Sequence, residues 1–176
     1  METAQGQKDS RLFALLLTAL YAWLVLTTLR AHELWRDEAQ TWLIGRDTSL
    51  GEMFSLSRYQ VHPALWYLLV RPLARLGAPY ASMGLLHVGL AIGSVFMVLR
   101  FAPLPRLTRS LFVFSAWMFW MYAIESRVYA VGILLLFLIA WRYPDRHDRP
   151  WLHGVLIALL FNSNFHMVFI AGALTL

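Results

Sequence analysis

Cysteine is absent from the 176 residues, which excludes a disulfide framework and any thiolate metal site. Charge is scarce as well: Asp, Glu, Lys and Arg make up 14% of the chain, against about 25% in an ordinary soluble domain. The signatures of soluble nucleotide and hydrolase chemistry are missing, with no P-loop, G-x-G-x-x-G, H-E-x-x-H or G-x-S-x-G. What is present is apolar. Hydrophobic residues account for 59% of the chain and the mean hydropathy is +0.56, which points to an integral membrane protein. The formal charge of +5 does not argue for nucleic acid, because the arginines stand singly between apolar runs and form no basic stripe. Anionic lipid and cytoplasmic connections account for them better.

Residues 12–29 carry no charge and are long enough for a bilayer, which takes about 20 apolar residues. A secretory signal would show an apolar region of roughly 7–15 residues before a small-residue cleavage site, which does not fit. An uncleaved anchor with a cytoplasmic N-terminus is expected. Residues 30–80 mix acids and bases in near balance, as suits an outer loop. Two interfacial helices are predicted in it, over about 34–45 and 63–76. In the first, Trp35, Ala39, Trp42 and Leu43 share an apolar face with the tryptophans at headgroup level; Asp37 points nearly opposite and Glu38 lies near the edge. The second is interrupted by Arg71 and Pro72 after about ten residues, too few to cross. There Tyr67, Arg71 and Arg75 make a polar stripe, and Leu65, Leu69, Leu73 and Leu76 an apolar one.

Further spans are predicted at 81–99, 109–125, 127–142 and 151–163, with a partial one at 165–176. The connections "RFAPLPRLTR" and "RYPDRHDRP" are rich in arginine and belong inside. The result is an all-α polytopic membrane protein of about five to six transmembrane segments. Its last run is too short to cross, so the chain is expected to be the N-terminal part of a longer one.

This topology collects Asp37-Glu38, His62, Glu125-Ser126-Arg127 and the Asn162–His166 turn on the outer face. Converging ionisable groups at a membrane surface mark a candidate site. Plainer readings stand beside it. Asp37 could pair with Arg36 in a wet loop, His62 could be a hydrogen-bonded anchor before Pro63, and Glu125 and Arg127 could stitch helices together. His87, His147 and His153 lack a partner pattern and are taken as structural. Asp37, Glu38, His62 and Glu125 could ligate a divalent ion, although no spacing among them is diagnostic.

The order of "RDEAQTW", "HPALWYLLVRPLARLG" and "YAIESRVYAV" resembles the GT-C glycosyltransferases, nearest to the protein O-mannosyltransferase, aminoarabinose transferase and RgtA/B/C/D-like group. Asp37-Glu38 matches that group's first-loop acidic pair. His62-Pro63-Ala64-Leu65 matches its His-Pro-Pro-Leu-like helix start, with Ala64 for the second proline. Glu125-Ser126-Arg127-Val128-Tyr129 matches its Glu-Ala-Arg-x-Tyr-like turn, with Ser126 for the alanine. The resemblance implies inverting transfer of a sugar from a polyprenyl-phosphate donor to a lipid, glycan or protein acceptor at the outer face of a membrane, the bacterial inner membrane being expected. Asp37 would then be the base and Glu38 its supporter. Arg127, and less directly Arg58, Arg71 and Arg75, would face the phosphate, with His62, Glu125 and Tyr129 also binding substrate. The alternative is a non-catalytic membrane protein, a transporter piece or assembly subunit, although no inverted repeat is visible.

Overall fold

The computed structural model of the chain describes residues 4–33, 35–60 and 62–175. Leu34, at the expected start of the first interfacial helix, Val61 in the outer loop and Leu176 lie outside the described residues. Among the described residues the chain is all-helical. The described residues form nine α-helices in order: α1 (Ala4–Leu29), α2 (Arg36–Asp47), α3 (Leu50–Tyr59), α4 (Leu65–Arg75), α5 (Ala81–Phe101), α6 (Arg106–Val113), α7 (Tyr129–Arg142), α8 (Pro150–Phe161) and α9 (Phe165–Ala173).

Among the described residues, only α1 and α5 are both long and apolar enough to cross a membrane, over Ser10–Leu29 and Ala81–Phe101. On α1 a narrow stripe of Ser10, Ala14, Tyr21 and Val25 is buried, while Leu12, Leu15, Leu16, Leu20, Trp23 and Leu26 face outward. So large an exposed apolar face on a water-facing helix would be an aggregation liability, and it suits lipid. α5 packs between α1 and α7, and α8 packs on α7 and α9. Their buried side chains form one core, with Tyr21, Val95, Leu99, Ile124, Ile139 and Leu160 at its centre.

The expected span over 109–125 is not one helix. α6 stops at Val113, and a π-helical turn, Trp117–Met121, follows, with Tyr122 N–H donating to Trp117 O. The widened turn frees carbonyls, and the buried Tyr21 hydroxyl donates to one of them, Met118 O, at 2.6 Å. Beyond it the chain turns without regular helix until Tyr129.

The helices lie so that the molecule has two chemically different ends. At one, Arg106 and Arg109 lie over the Phe13 ring and the Phe101 and Trp141 rings are 4.8 Å apart. At the other, a Cβ added at Gly84 would be 3.4 Å from Leu29 Cδ1 and 3.7 Å from Ser126 Oγ, and Leu65 N–H donates to Asn162 O. The arginine-rich connections therefore share one end, and the polar loops the other.

The segment between α1 and α5 holds three helices where the sequence predicts two. α3 is the addition, and its start is a full capping box: Ser49 Oγ accepts from Glu52 N–H, and Glu52 Oε2 accepts from Ser49 N–H at 2.7 Å. α2 lies on α4. Its buried face is Glu38, Thr41, Trp42, Ile44 and Gly45. Trp35 and Leu43 of the expected apolar face are exposed, whereas Trp42 packs inward and Glu38, assigned to the edge, is fully buried. On α4 the buried residues are Trp66, Tyr67, Val70 and Ala74, whereas Leu76 is 85% exposed. Of the leucine stripe, Leu65, Leu69 and Leu73 are partly buried against the core, and the Leu76 end stands clear. The polar stripe is engaged as well, with Arg71 Nη1 donating to Thr48 O at 2.8 Å and to Gly45 O at 3.3 Å, and Arg75 also donating to Thr48 O. Two guanidinium groups thus satisfy carbonyls at the C-terminus of α2 and complement its dipole.

Candidate functional site

Asp37 and Glu38 are neighbours at the first turn of α2 with opposite surroundings. Glu38 is fully buried and both its oxygens are engaged. Oε2 accepts from Trp35 N–H at 2.8 Å, half of a capping box, and from His32 Nε2 at 3.0 Å; Oε1 accepts from Ser126 N–H at 2.6 Å. A carboxylate with three N–H donors near a helix N-terminus can stay in a dry interior because its charge is spread over them. Its effect is mechanical: the end of α1, the start of α2 and the 125–128 turn are tied at one point.

The Asp37 side chain is 42% exposed. Its Oδ2 lies 3.0 Å from Arg127 Nη2, whereas Arg36, the partner a wet loop would supply, is 4.0 Å away and itself exposed. Arg127 is in turn mostly buried, with its guanidinium 5.7 Å over the Tyr129 ring. Tyr129 touches Tyr122 at 6.0 Å between ring centroids, although no continuous helix joins them. The turn is tight at its own backbone, where Arg127 N–H donates to Glu125 O at 2.7 Å, and Glu125 and Ser126 are buried.

His62 stands beside this pair. Burial lowers its pKa below the ordinary imidazole value, the positive charges of Arg127 and His166 push the same way, and Asp37 pulls against them. Phe54, Ser57, Arg58, His62, Asn162 and Phe165 line a cavity of about 360 Å³. Arg58 is exposed there and makes no hydrogen bond or ion pair among the described residues. Tyr67 completes the group from α4. Its phenol is buried, which raises its pKa, while the nearby Thr41 hydroxyl and the positive charge of Arg127 oppose that and the negative charge of Asp37 adds to it.

The fold thus brings together the four separated stretches that the sequence assigns to one face. Asp37, Glu38, His62, Arg127 and Tyr129 come together, and Arg58 lines the adjoining cavity. Arg71 and Arg75 do not join them, being spent on the end of α2. The sequence reading missed His32 and Thr41, and it gave Tyr67 a place on a polar stripe without a role in the site. His32 had a readable signal in its spacing of six residues before Glu38, just past the end of an apolar run. Among the described residues no three His, Asp or Glu side chains converge as a metal site. Glu38 gives both oxygens to N–H donors and Asp37 faces a guanidinium, so this donor set does not fit the divalent ion left open by the sequence.

Chemically, the site offers a half-exposed carboxylate, a guanidinium with donors left over for an anion, and a neutral imidazole. No family model, curated protein or solved structure matches this chain.

Proposed function

We propose that the chain is a membrane glycosyltransferase module of GT-C type that moves a sugar from polyprenyl phosphate to a lipid, glycan or protein acceptor. The observation that carries this reading is the Asp37–Arg127 pair, a base and an anion-binding group 3.0 Å apart where four distant stretches meet. Inverting transfer needs both. The acceptor hydroxyl or amine attacks the anomeric carbon on the face opposite the phosphate, Asp37 takes the acceptor's proton, and the bond from sugar carbon to phosphate oxygen breaks. Arg127 offers two parallel N–H donors to the charge that grows on the departing phosphate. A phosphate that draws the guanidinium toward itself leaves the Asp37 carboxylate free to face the acceptor when the donor is present. Glu38 holds the two partners in register from beneath, and His62 and Arg58 line the approach.

The membrane arrangement belongs to the same reading: the N-terminus and arginine-rich end are cytoplasmic, the Asp37 end faces outward, and the five to six runs cross a bacterial inner membrane with α1 and α5 as full-length spans. α7 has 14 residues and α8 has 12, about 21 and 18 Å of helix, so their outer ends stay below the surface in a protein-lined recess.

The test is turnover. With the chain in proteoliposomes and polyprenyl-phosphate-linked hexose or pentose supplied, Asp37→Asn and Arg127→Ala should each lower sugar transfer by about a hundredfold or more. Unchanged turnover in both variants would sink the assignment. It would favour the second reading, a packing subunit whose Asp37–Arg127 pair only joins α2 to the 125–128 turn.

A further inference from the structure

We propose that the groove along α8 is a binding site for an anionic phospholipid, with the headgroup phosphate at Arg146 and His153 and an acyl chain along Ile157, Ala158 and Phe161. The inference is independent of glycosyl transfer. The groove encloses about 780 Å³, within the range of about 300–1,000 Å³ usual for ligand cavities. Its two halves differ. At the arginine-rich end, Tyr143, Arg146, His147 and His153 line it; farther along, Ile157, Ala158, Phe161 and Leu174 do.

The basic half is held in place before any ligand arrives. The Arg146 guanidinium lies 4.2 Å from the centroid of the Tyr143 ring, and its Nη1 donates to Tyr143 O at 3.1 Å. That leaves most of its five N–H donors unused. The His153 ring meets the same Tyr143 ring edge-on at 5.9 Å, so cation and imidazole flank one aromatic plate. His153 Nδ1 is buried and has no partner among the described residues, an unusual state for a polar atom in a packed site. The groove lining contains no carboxylate, and the nearby Asp145 is turned onto Arg142 at 3.4 Å.

These features favour one ligand chemistry. A free phosphate would use the basic half and leave the apolar wall exposed, and a neutral lipid would use only the wall. A lipid bearing net negative charge matches both, as basic pockets between membrane helices on the cytoplasmic side do elsewhere.

The experiment uses the full chain, purified in detergent and stripped of lipid. It is offered equal amounts of phosphatidylglycerol and phosphatidylcholine, and retained lipid is weighed by native mass spectrometry. Phosphatidylglycerol should be retained about tenfold better, as expected for one charge-assisted contact. Arg146→Gln, in an exposed connection, should erase the preference without changing the unfolding temperature. Ala158→Trp, which fills the apolar half, should abolish retention of both lipids. Equal retention of the two lipids by the unaltered chain overturns the proposal, as does a preference that survives Arg146→Gln. Displacement of phosphatidylglycerol by inorganic phosphate as readily as by the lipid itself also overturns it, since the site would then recognise an anion alone.

Discussion

Asp37 and Glu38 carry the same functional group one residue apart, and their environments give them different work. Removing Glu38 strands the buried Ser126 N–H and takes the partner from the part-buried Trp35 N–H and His32 imidazole. Glu38→Ala should therefore cost about 3 kcal/mol or more of stability, the scale for breaking a buried ionic network. Asp37→Asn should cost about 1 kcal/mol or less, because its partner contact is partly solvated. Denaturant unfolding in detergent compares the two directly, and an equal loss would remove the distinction between a structural and an available carboxylate. His62 supplies a pH effect with a definite sign. Its folded pKa lies below 6.5, chiefly through burial, so it is neutral in the native protein while the unfolded chain takes up a proton as pH falls through 6.5. The unfolded state then binds more protons, and stability declines with falling pH between 6.5 and the lowered value. The unfolding temperature of His62→Gln should fall less steeply over that window than that of the unaltered chain; parallel curves would remove His62 from the pH response. At this scale the sequence exposed the identities of Asp37, His62 and Arg127. It could not rank Asp37 against Glu38, because burial is set by the turn at 125–128, almost ninety residues away.

Elements show where local rules sufficed. The apolar runs gave the apolar stretch of α1, Ser10–Leu29, and α5 within a few residues, since length and hydropathy are properties of the segment itself, although α1 begins eight residues before the predicted run. α3 was legible and missed: Ser49 and Glu52 are the S-x-x-E signature of a helix start. The phase of α2 was not legible. A helix carries one periodic pattern, but the face that packs is chosen by α4, which covers Trp42, Ile44 and Gly45 and leaves Trp35 outside. The break at 114–121 was also hidden, since its apolar residues suit α and π turns alike. Close approach of α7 to the α8–α9 turn yields a further test. A Cβ at Gly132 would lie 2.8 Å from Asn164 Nδ2 and 2.9 Å from Ser163 Oγ, and both of those residues are buried. Asn164 also caps α9 by accepting from Met167 N–H. Gly132→Ala should destabilise the protein by about 1–3 kcal/mol through this overpacking. Gly89→Ala, on α5 with nothing within 4 Å, should stabilise it by about 0.5–1 kcal/mol by removing backbone freedom from the unfolded chain. Thermal unfolding of the pair tests the packing, and a harmless Gly132→Ala would mean that α7 and the turn stand farther apart.

For the whole molecule the proposed membrane arrangement makes a prediction about which end faces which side. The chain has no cysteine, so single introduced thiols report without background. Tyr59→Cys and Leu107→Cys replace residues that are 85% and 70% exposed, the first in the polar segment and the second in the arginine-rich one. An impermeant thiol reagent added outside intact cells should label the first and spare the second. Labelling of both, or the reverse pattern, would overturn the orientation on which the outward-facing Asp37 rests. The amino-acid sequence by itself determined the helical class, the two long apolar helices, the alternation of polar and arginine-rich connections and the residues worth watching. Each of these follows from composition, run length or charge read along the chain. Only the tertiary structure decided that Glu38 is a buried latch and Asp37 the available carboxylate, that Arg71 and Arg75 close a helix end, and that Arg127 meets Asp37. Those outcomes depend on desolvation and on contacts between residues dozens of positions apart, and packing in three dimensions sets both.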